Sequence, residues 1–242
     1  LFLQPSTRLF SYEDGYGNIV HCFTVLPPHT LLVVTARSRV ETRLSNPFAP
    51  PRRSPPTLDP VDQWPLLQFG GPVLLLPDVE ALAARFRPAQ EAAVLDALRD
   101  LMHFIYTQFE YQAEVTTVSS TIEDLLRLGS GVCQDLTHLM IAVCRCMSVP
   151  ARYVSGYIVS EPAHAARGDG ASHAWCEAWV PGYGWRGFDP TNDVLAADSH
   201  IKVGHGRSYQ DVPPTRGVYR GTAGQQIMVE VITQVVESEG SI

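Results

Sequence analysis

Between Phe10 and Val40, short runs of Val, Leu, Phe and Thr alternate with polar residues and are broken at Asp14-Gly15, Gly17-Asn18 and Pro27-Pro28. Such alternation with turn punctuation predicts a small antiparallel sheet. Residues 46–65 then carry Pro47, Pro50, Pro51, Pro55, Pro56, Pro60 and Pro65. Each proline fixes its own φ and restricts the residue before it, so this segment is expected to be a connector without regular helix. Beyond it the period changes. After Pro88, Val94, Leu95, Leu98, Leu101, Met102 and Ile105 recur at three- and four-residue spacing, predicting a long amphipathic helix to about Phe109. Ser120-x-x-Glu123 offers a capping box for a short helix ahead of Leu125 and Leu126, closed by Gly129-Ser130-Gly131. A third helix is expected to start at Cys133, to carry Leu136, Leu139, Met140, Val143 and Met147, and to stop at Val149-Pro150. Strand patterns return over 151–159, 174–180, 185–188, 201–203, 218–220 and 227–236.

Helices followed by a run of strands point to an α+β fold with helices packed on an antiparallel sheet. The expected division is a β-rich N-terminal domain with its proline-rich connector over 1–78, and a core with C-terminal strands over 79–242. With 242 residues and 45% hydrophobic content, the chain can bury one large core or two modest ones. Stretches such as Val73 to Leu76 are far too short to cross a bilayer, and no signal-peptide pattern follows Leu1. A soluble, cytoplasmic protein with no membrane partner is therefore expected, although the chain does not begin with Met and its small β domain could be truncated. A formal charge of −7 with scattered Lys and Arg argues against a nucleic-acid partner, which requires a basic surface. Five cysteines without regular spacing suggest free thiols in a reducing compartment.

One cysteine stands apart. Cys133 follows a Gly-rich stretch and opens a predicted helix, where unpaired backbone N–H groups and the helix dipole favour a thiolate. The same N–H groups could hold the oxyanion formed when sulfur attacks a carbonyl. From position alone, a small buried residue at a helix start explains Cys133 equally well. Cys144 lies in the apolar stretch of the same helix, and Cys146 falls on another face. His173 opens a predicted strand after a polar, Gly-rich loop, the place where a general base would be held rigidly. Asp189 ends the next strand of the predicted hairpin and can stand beside His173, fixing its tautomer and stabilising the imidazolium. Taken singly, His173 reads as a surface residue and Asp189 as part of an ordinary turn; with Cys133 they make a catalytic set.

Four motifs in order carry a family resemblance: Gly131-Val132-Cys133-Gln134-Asp135-Leu136-Thr137-His138-Leu139, Pro150-Ala151-Arg152-Tyr153-Val154-Ser155-Gly156-Tyr157, Ser172-His173-Ala174-Trp175, and Gly187-Phe188-Asp189-Pro190-Thr191-Asn192. The chain resembles the transglutaminase-like superfamily, specifically bacterial cysteine-protease-type members with a small β domain before the core. Tyr16-Gly17-Asn18 and Pro28-His29 extend the likeness backwards, and His205 to Val212 extends it forwards. The resemblance implies a papain-like core in which Cys133 attacks an amide carbonyl, His173 moves the proton and Asp189 orients His173. The resulting thioester passes to water or to an amine. It also nominates Tyr111 as a second oxyanion donor, against the plainer reading of a core or surface tyrosine. Asp135 and His138 fit the family's Cys-x-Asp-x-x-His pattern and are expected to buttress the helix beside the triad. Among the tryptophans, which alternate as core residues do, only Trp175 is a site candidate.

The expected substrate is a peptide or protein amide, with hydrolysis favoured over cross-linking because no amine-acceptor site is legible. The proposed chemistry needs no cofactor, and no acidic EF-hand-type loop suggests calcium. A peptide-binding module that keeps the fold without the chemistry is one alternative. A metal site using Cys133, His138 and His173 is another, although neither a Cys-x-x-Cys pair nor a His-Glu-x-x-His helix is present. The segment 161–171 reads as a gating loop. Oligomeric state is not legible.

Overall fold

The computed structural model describes residues 1–49, 57–113, 115–159, 166–167, 170–222, 224 and 226–236. Strands β1 (Phe2–Gln4), β2 (Leu9–Glu13), β3 (Ile19–Phe23) and β4 (Val33–Thr35) form two antiparallel pairs, β2 with β3 and β1 with β4. In the β2–β3 turn, the Asp14 carboxylate accepts from the N–H groups of Tyr16 and Asn18 at 2.8 and 2.9 Å.

The connector is more structured than its prolines suggest. Pro60 opens a single turn, α1 (Pro60–Gln63), and a 3-10 turn follows over Trp64–Leu67 with Pro65 in its first turn. Proline is tolerated at these positions because its missing N–H has no intrahelical partner to lose. The same rule places the next helix. An additional helix, α2 (Pro77–Phe86), begins at Pro77 and buries Val79 and Ala83; Pro88 falls in the link, and the helix expected beyond it is α3 (Val94–Gln108), ending one residue before Phe109. After β5 (Glu110–Tyr111) comes α4 (Ile122–Leu128), whose capping residues lie one position beyond the predicted pair. The Asp124 carboxylate accepts from the Thr121 N–H at 3.1 Å, and Gly129 closes the helix at φ 70°.

β6 (Ser130–Gly131) then leads into α5 (Cys133–Cys146), which starts where the sequence predicts. Its environment differs from that of an amphipathic surface helix. Leu136, Leu139, Met140, Ile141, Ala142, Val143 and Cys144 are all fully buried. Helices α2, α3 and α4 pack around it, and the main sheet covers it through β7 (Ala151–Ile158) and β8 (His173–Val180). A helix enclosed on all sides is the one whose apolar positions run round the axis. Each fully buried Leu, Ile or Val contributes about 1.5–3 kcal/mol, so this helix anchors the fold.

The sheet is completed by β9 (Gly184–Asp189), β10 (Val194–Leu195) and β11 (His200–Gly206) in the order β10-β9-β8-β7-β11, every neighbouring pair antiparallel. The α+β expectation holds: helices pack on an antiparallel sheet, with small sheets preceding the core. Residues 218–220 and 227–236, expected as strands, form none among the described residues. Their alternation registers a capacity to lie on a sheet, and no paired edge receives them. At the far edge of the sheet, Asn18 stands in for a strand partner: its Nδ2 donates to the His205 carbonyl at 2.8 Å and its Oδ1 accepts from the His205 N–H at 2.9 Å.

Two buried arginines fasten the irregular segments. Arg186 on β9 donates to the carbonyls of Pro47 and Ala49 at 2.8 and 3.0 Å, holding the start of the connector. Arg145, near the end of α5, donates to the carbonyls of Gln68, Ala151 and Arg207 at 2.7, 3.0 and 2.6 Å. A buried carbonyl left without a donor costs about 1–3 kcal/mol. Arg145→Met is therefore expected to lower the unfolding free energy by about 2–5 kcal/mol in urea denaturation; an unchanged midpoint would show that water takes over these bonds.

Candidate active site

The entry to α5 is set by close backbone approach and a carboxylate. β5 and β6 pair in parallel, Tyr111 opposite Gly131, which brings the Tyr111 segment beside the helix start. Asp135, in the first turn of α5, accepts from the Val132 N–H at 2.9 Å and from the Thr116 hydroxyl at 2.6 Å. A Cβ on Gly131 would lie 2.8 Å from that carboxylate and 3.0 Å from Leu125, so glycine is required where the chain turns into the helix. Cys133, the first residue of the helix, remains partly exposed on this braced terminus.

His173 and Asp189 are brought together from the ends of two adjacent strands. His173 opens β8, Asp189 closes β9, and His173 Nε2 lies 2.8 Å from Asp189 Oδ2 with both side chains fully buried. Asp189 is heavily solvated by protein. Its Oδ1 accepts from the N–H groups of Thr191 and Asn192, and its Oδ2 also from Asn192 Nδ2 at 2.8 Å. Burial opposes the charge, but these donors hold the Asp189 carboxyl well below the usual carboxylate range. His173 Nδ1 is buried and has no hydrogen-bond partner among the described residues. Although burial disfavours the imidazolium, hydrogen bonding to Asp189, reinforced by the charges of Asp189 and Cys133, lifts its pKa to about 10. The structure thus places Asp189 against His173, which shares one cavity with Cys133.

The site opens into a cavity of about 240 Å³. Cys133 and His173 line it together with Tyr111, Tyr153, Ser155, Tyr209 and Pro214. Tyr111 is half-buried, and burial with the neighbouring Cys133 charge raises its pKa while Arg167 opposes this. The Arg167 guanidinium stacks on Tyr106 and reaches within 6.0 Å of the Tyr111 ring centroid. Most of the segment expected to gate the site, residues 161–165 and 168–169, lies outside the described residues.

The other candidates fall beside the cavity. His138 is fully buried against Tyr153, and its Nε2 accepts from the Tyr209 N–H at 3.1 Å. It thereby supports the Tyr209 wall. Burial, helped by Arg145, lowers its pKa to about 3, so it is neutral. Trp175 does not line the cavity. Strand alternation turns it away from the Ala174, Cys176 and Ala178 face that packs on α5, into a small cluster with Val154 and Ala196. There its ring stands nearly perpendicular to that of His200, the centroids 5.1 Å apart.

His200 was not singled out by the sequence. It opens β11, as His173 opens β8, and its buried Nε2 lies 3.2 Å from the same Asp189 Oδ2. Only a histidine at the head of a strand marks it, and that signal is common. His173, Asp189 and His200 offer ligand atoms within 4.8 Å of one another. The 2.8 Å His173–Asp189 contact is a hydrogen-bond distance, shorter than the roughly 3.3 Å between tetrahedral zinc ligands at about 2.0 Å from the metal. The alternative set of Cys133, His138 and His173 fits less well, because His138 Nε2 is taken by the Tyr209 amide.

A model of the transglutaminase-like superfamily matches residues 80–190. An uncharacterized protein of Mycobacterium tuberculosis (strain ATCC 25618 / H37Rv) is 36% identical over 255 residues, covering 98% of this chain and 79% of that protein. An uncharacterized protein of Mycobacterium leprae (strain TN) is also 36% identical, covering 94% of this chain and 82% of its own length. The chain belongs to the transglutaminase-like superfamily. A crystal structure of a candidate cysteine protease from Cytophaga hutchinsonii shares the fold, with a TM-score of 0.63 and 22% identity over 88% of this chain and 71% of that one. The transglutaminase-like match takes in Tyr111, Cys133, Asp135, His138, His173, Trp175 and Asp189, and ends before His200 and Tyr209.

The buried histidines give opposite pH signatures. His138 is depressed from 6.5 to about 3, so its contribution to stability is present above 6.5 and is lost as pH falls toward 3. His173 is raised from 6.5 to about 10, so its contribution is present below 6.5 and is lost as pH rises toward 10. His138→Gln, which can still accept from the Tyr209 amide, is expected to retain roughly 2 kcal/mol of the stability that wild type loses between pH 7 and about 4.5. Thermal unfolding across that range measures this; equal losses in both proteins would place the acid sensitivity elsewhere.

Proposed function

We propose that this protein is a cysteine-dependent enzyme that cleaves or transfers the acyl group of peptide or protein amides through a thioester on Cys133. The observation that carries the reading is the junction of three element ends at one cavity: the N-terminus of α5 with its thiol, His173 at the head of β8, and buried Asp189 behind it.

His173 accepts the Cys133 proton, and the resulting imidazolium is stabilised by Asp189. Sulfur attacks the amide carbonyl, forming a C–S bond and a tetrahedral oxyanion. The oxyanion is received at the N-terminus of α5 by the Cys133 backbone N–H, with the Tyr111 hydroxyl as second donor. The C–N bond breaks as His173 returns the proton to the leaving nitrogen, which departs as ammonia or an amine. Water, deprotonated by His173, then attacks the thioester and releases the acid, restoring the thiol. An amine in place of water would give transamidation; hydrolysis is the reading preferred, since among the described residues the cavity lining includes no acidic side chain to bind an ammonium acceptor.

Cys133→Ala is expected to reduce amide turnover by about 10⁴-fold or more while the protein stays folded. Peptide cleavage and ammonia release measure turnover, and near-ultraviolet circular dichroism measures folding. Without a known substrate, brief iodoacetamide treatment serves: mass spectrometry should find Cys133 alkylated faster than the other cysteines at mildly acidic pH, and slowed in His173→Ala. Equal, slow alkylation in both proteins would remove the physical basis for catalysis.

A further inference from the structure

His200 has no part in the mechanism above, yet it is built into the site. It comes from β11, the strand farthest from β9 and β10 in the sheet order, and closes over Asp189 from beyond the C-terminal limit of the family match. Its Nε2 meets Asp189 Oδ2 at 3.2 Å, the same oxygen that His173 meets at 2.8 Å. The other ring nitrogen, Nδ1, lies 3.1 Å from Ser199 Oγ. Because Asp189 is a carboxylate, Nε2 carries a proton and donates to it, while the hydrogen bond of Nδ1 with the Ser199 hydroxyl fixes the orientation of the ring. Trp175 packs nearly perpendicular to the ring and leaves it little freedom to turn away. The groups facing this cluster are Asp189 from β9, His173 from β8 and, beyond His173, Cys133 from α5.

We propose that His200 is a positioning residue, a second imidazole that holds the Asp189 carboxylate against His173 and takes a share of its negative charge. This inference rests on the proposed Cys133–His173–Asp189 chemistry and specifies how strongly Asp189 grips the imidazolium. A carboxylate whose charge is concentrated on one partner binds that partner's proton more tightly. Sharing Oδ2 between two donors keeps His173 a good enough acid to release its proton to the leaving nitrogen. Without His200, the remaining donors from Thr191 and Asn192 still hold Asp189 in place, so the main consequence is electrostatic.

The test is histidine-selective NMR titration of His173 in the Cys133→Ala protein, which removes the thiol but keeps both histidines and Asp189. In that background, His200→Leu is expected to move the His173 midpoint upward by about one pH unit, and His200→Gln, whose amide can still donate, to bring it back toward the parent. Ser199→Ala, a milder change that keeps the ring, should give a smaller shift in the same direction and carries the test if His200→Leu fails to fold. A raised parent midpoint that none of these variants alters overturns the role given to His200 and leaves the proposed function standing. A downward shift in His200→Leu does the same, because it would mean that the ring serves only as packing. A parent midpoint at the ordinary histidine value would overturn the Asp189–His173 pair and this inference with it.

Discussion

A carboxylate with no access to water has to be surrounded by donors, and in this protein that requirement falls on Asp189. Removing an ion from water costs several kcal/mol unless hydrogen bonds replace its hydration. Here five groups do so: two imidazoles, the Asn192 side chain and two backbone amides of the turn that follows β9. Meeting the requirement fixes the relative placement of β8, β9 and β11, and hence the corner of the sheet at which His173 faces Cys133. Asn192 also holds the Arg167 backbone, accepting from its N–H at 2.9 Å, so the same turn reaches toward the rim beside Tyr111.

On the other side of the cavity, the constraint is the start of a buried helix. α5 is buried from Gln134 to Arg145, which leaves its two end residues, Cys133 and Cys146, partly exposed, and of these Cys133 lines the cavity. Asp135 satisfies the Val132 amide, and Gly131 permits the approach that lets it do so. The wall opposite is Tyr209, pinned through its amide to His138 within the core. Neutral His138 and ionic Asp189 thus perform related tasks by different means. One provides a lone pair to a backbone donor in an apolar setting, and the other gathers donors around a charge.

The central helix, the main strands and the order of Cys133, His173 and Asp189 were legible because each lies at an element boundary with a local signal: Gly131 before a helix, a polar loop before β8, and Asp-Pro-Thr-Asn after β9. What was not legible depended on distant partners. His200 becomes part of the site only through pairing of β11 with β7, and nothing adjacent to it in sequence announces Asp189. Helix α3 lies where its spacing predicts, whereas α2 gives little local signal because its buried face is carried by Val79 and Ala83 and is set by packing on the distant α5. Trp175 stands two residues from His173, and strand alternation alone leaves its role undecided. Its place in the core follows from Gly156 and Gly187, whose missing side chains make room for the indole.

The proposed function requires Cys133 to act as a nucleophile activated by His173. The most direct measurement is the ultraviolet absorbance of the thiolate at about pH 6, taken as the difference between wild type and Cys133→Ala. A thiolate band in wild type that disappears in His173→Ala is the result predicted. A difference spectrum without that band, or one that persists when His173 is removed, would contradict it.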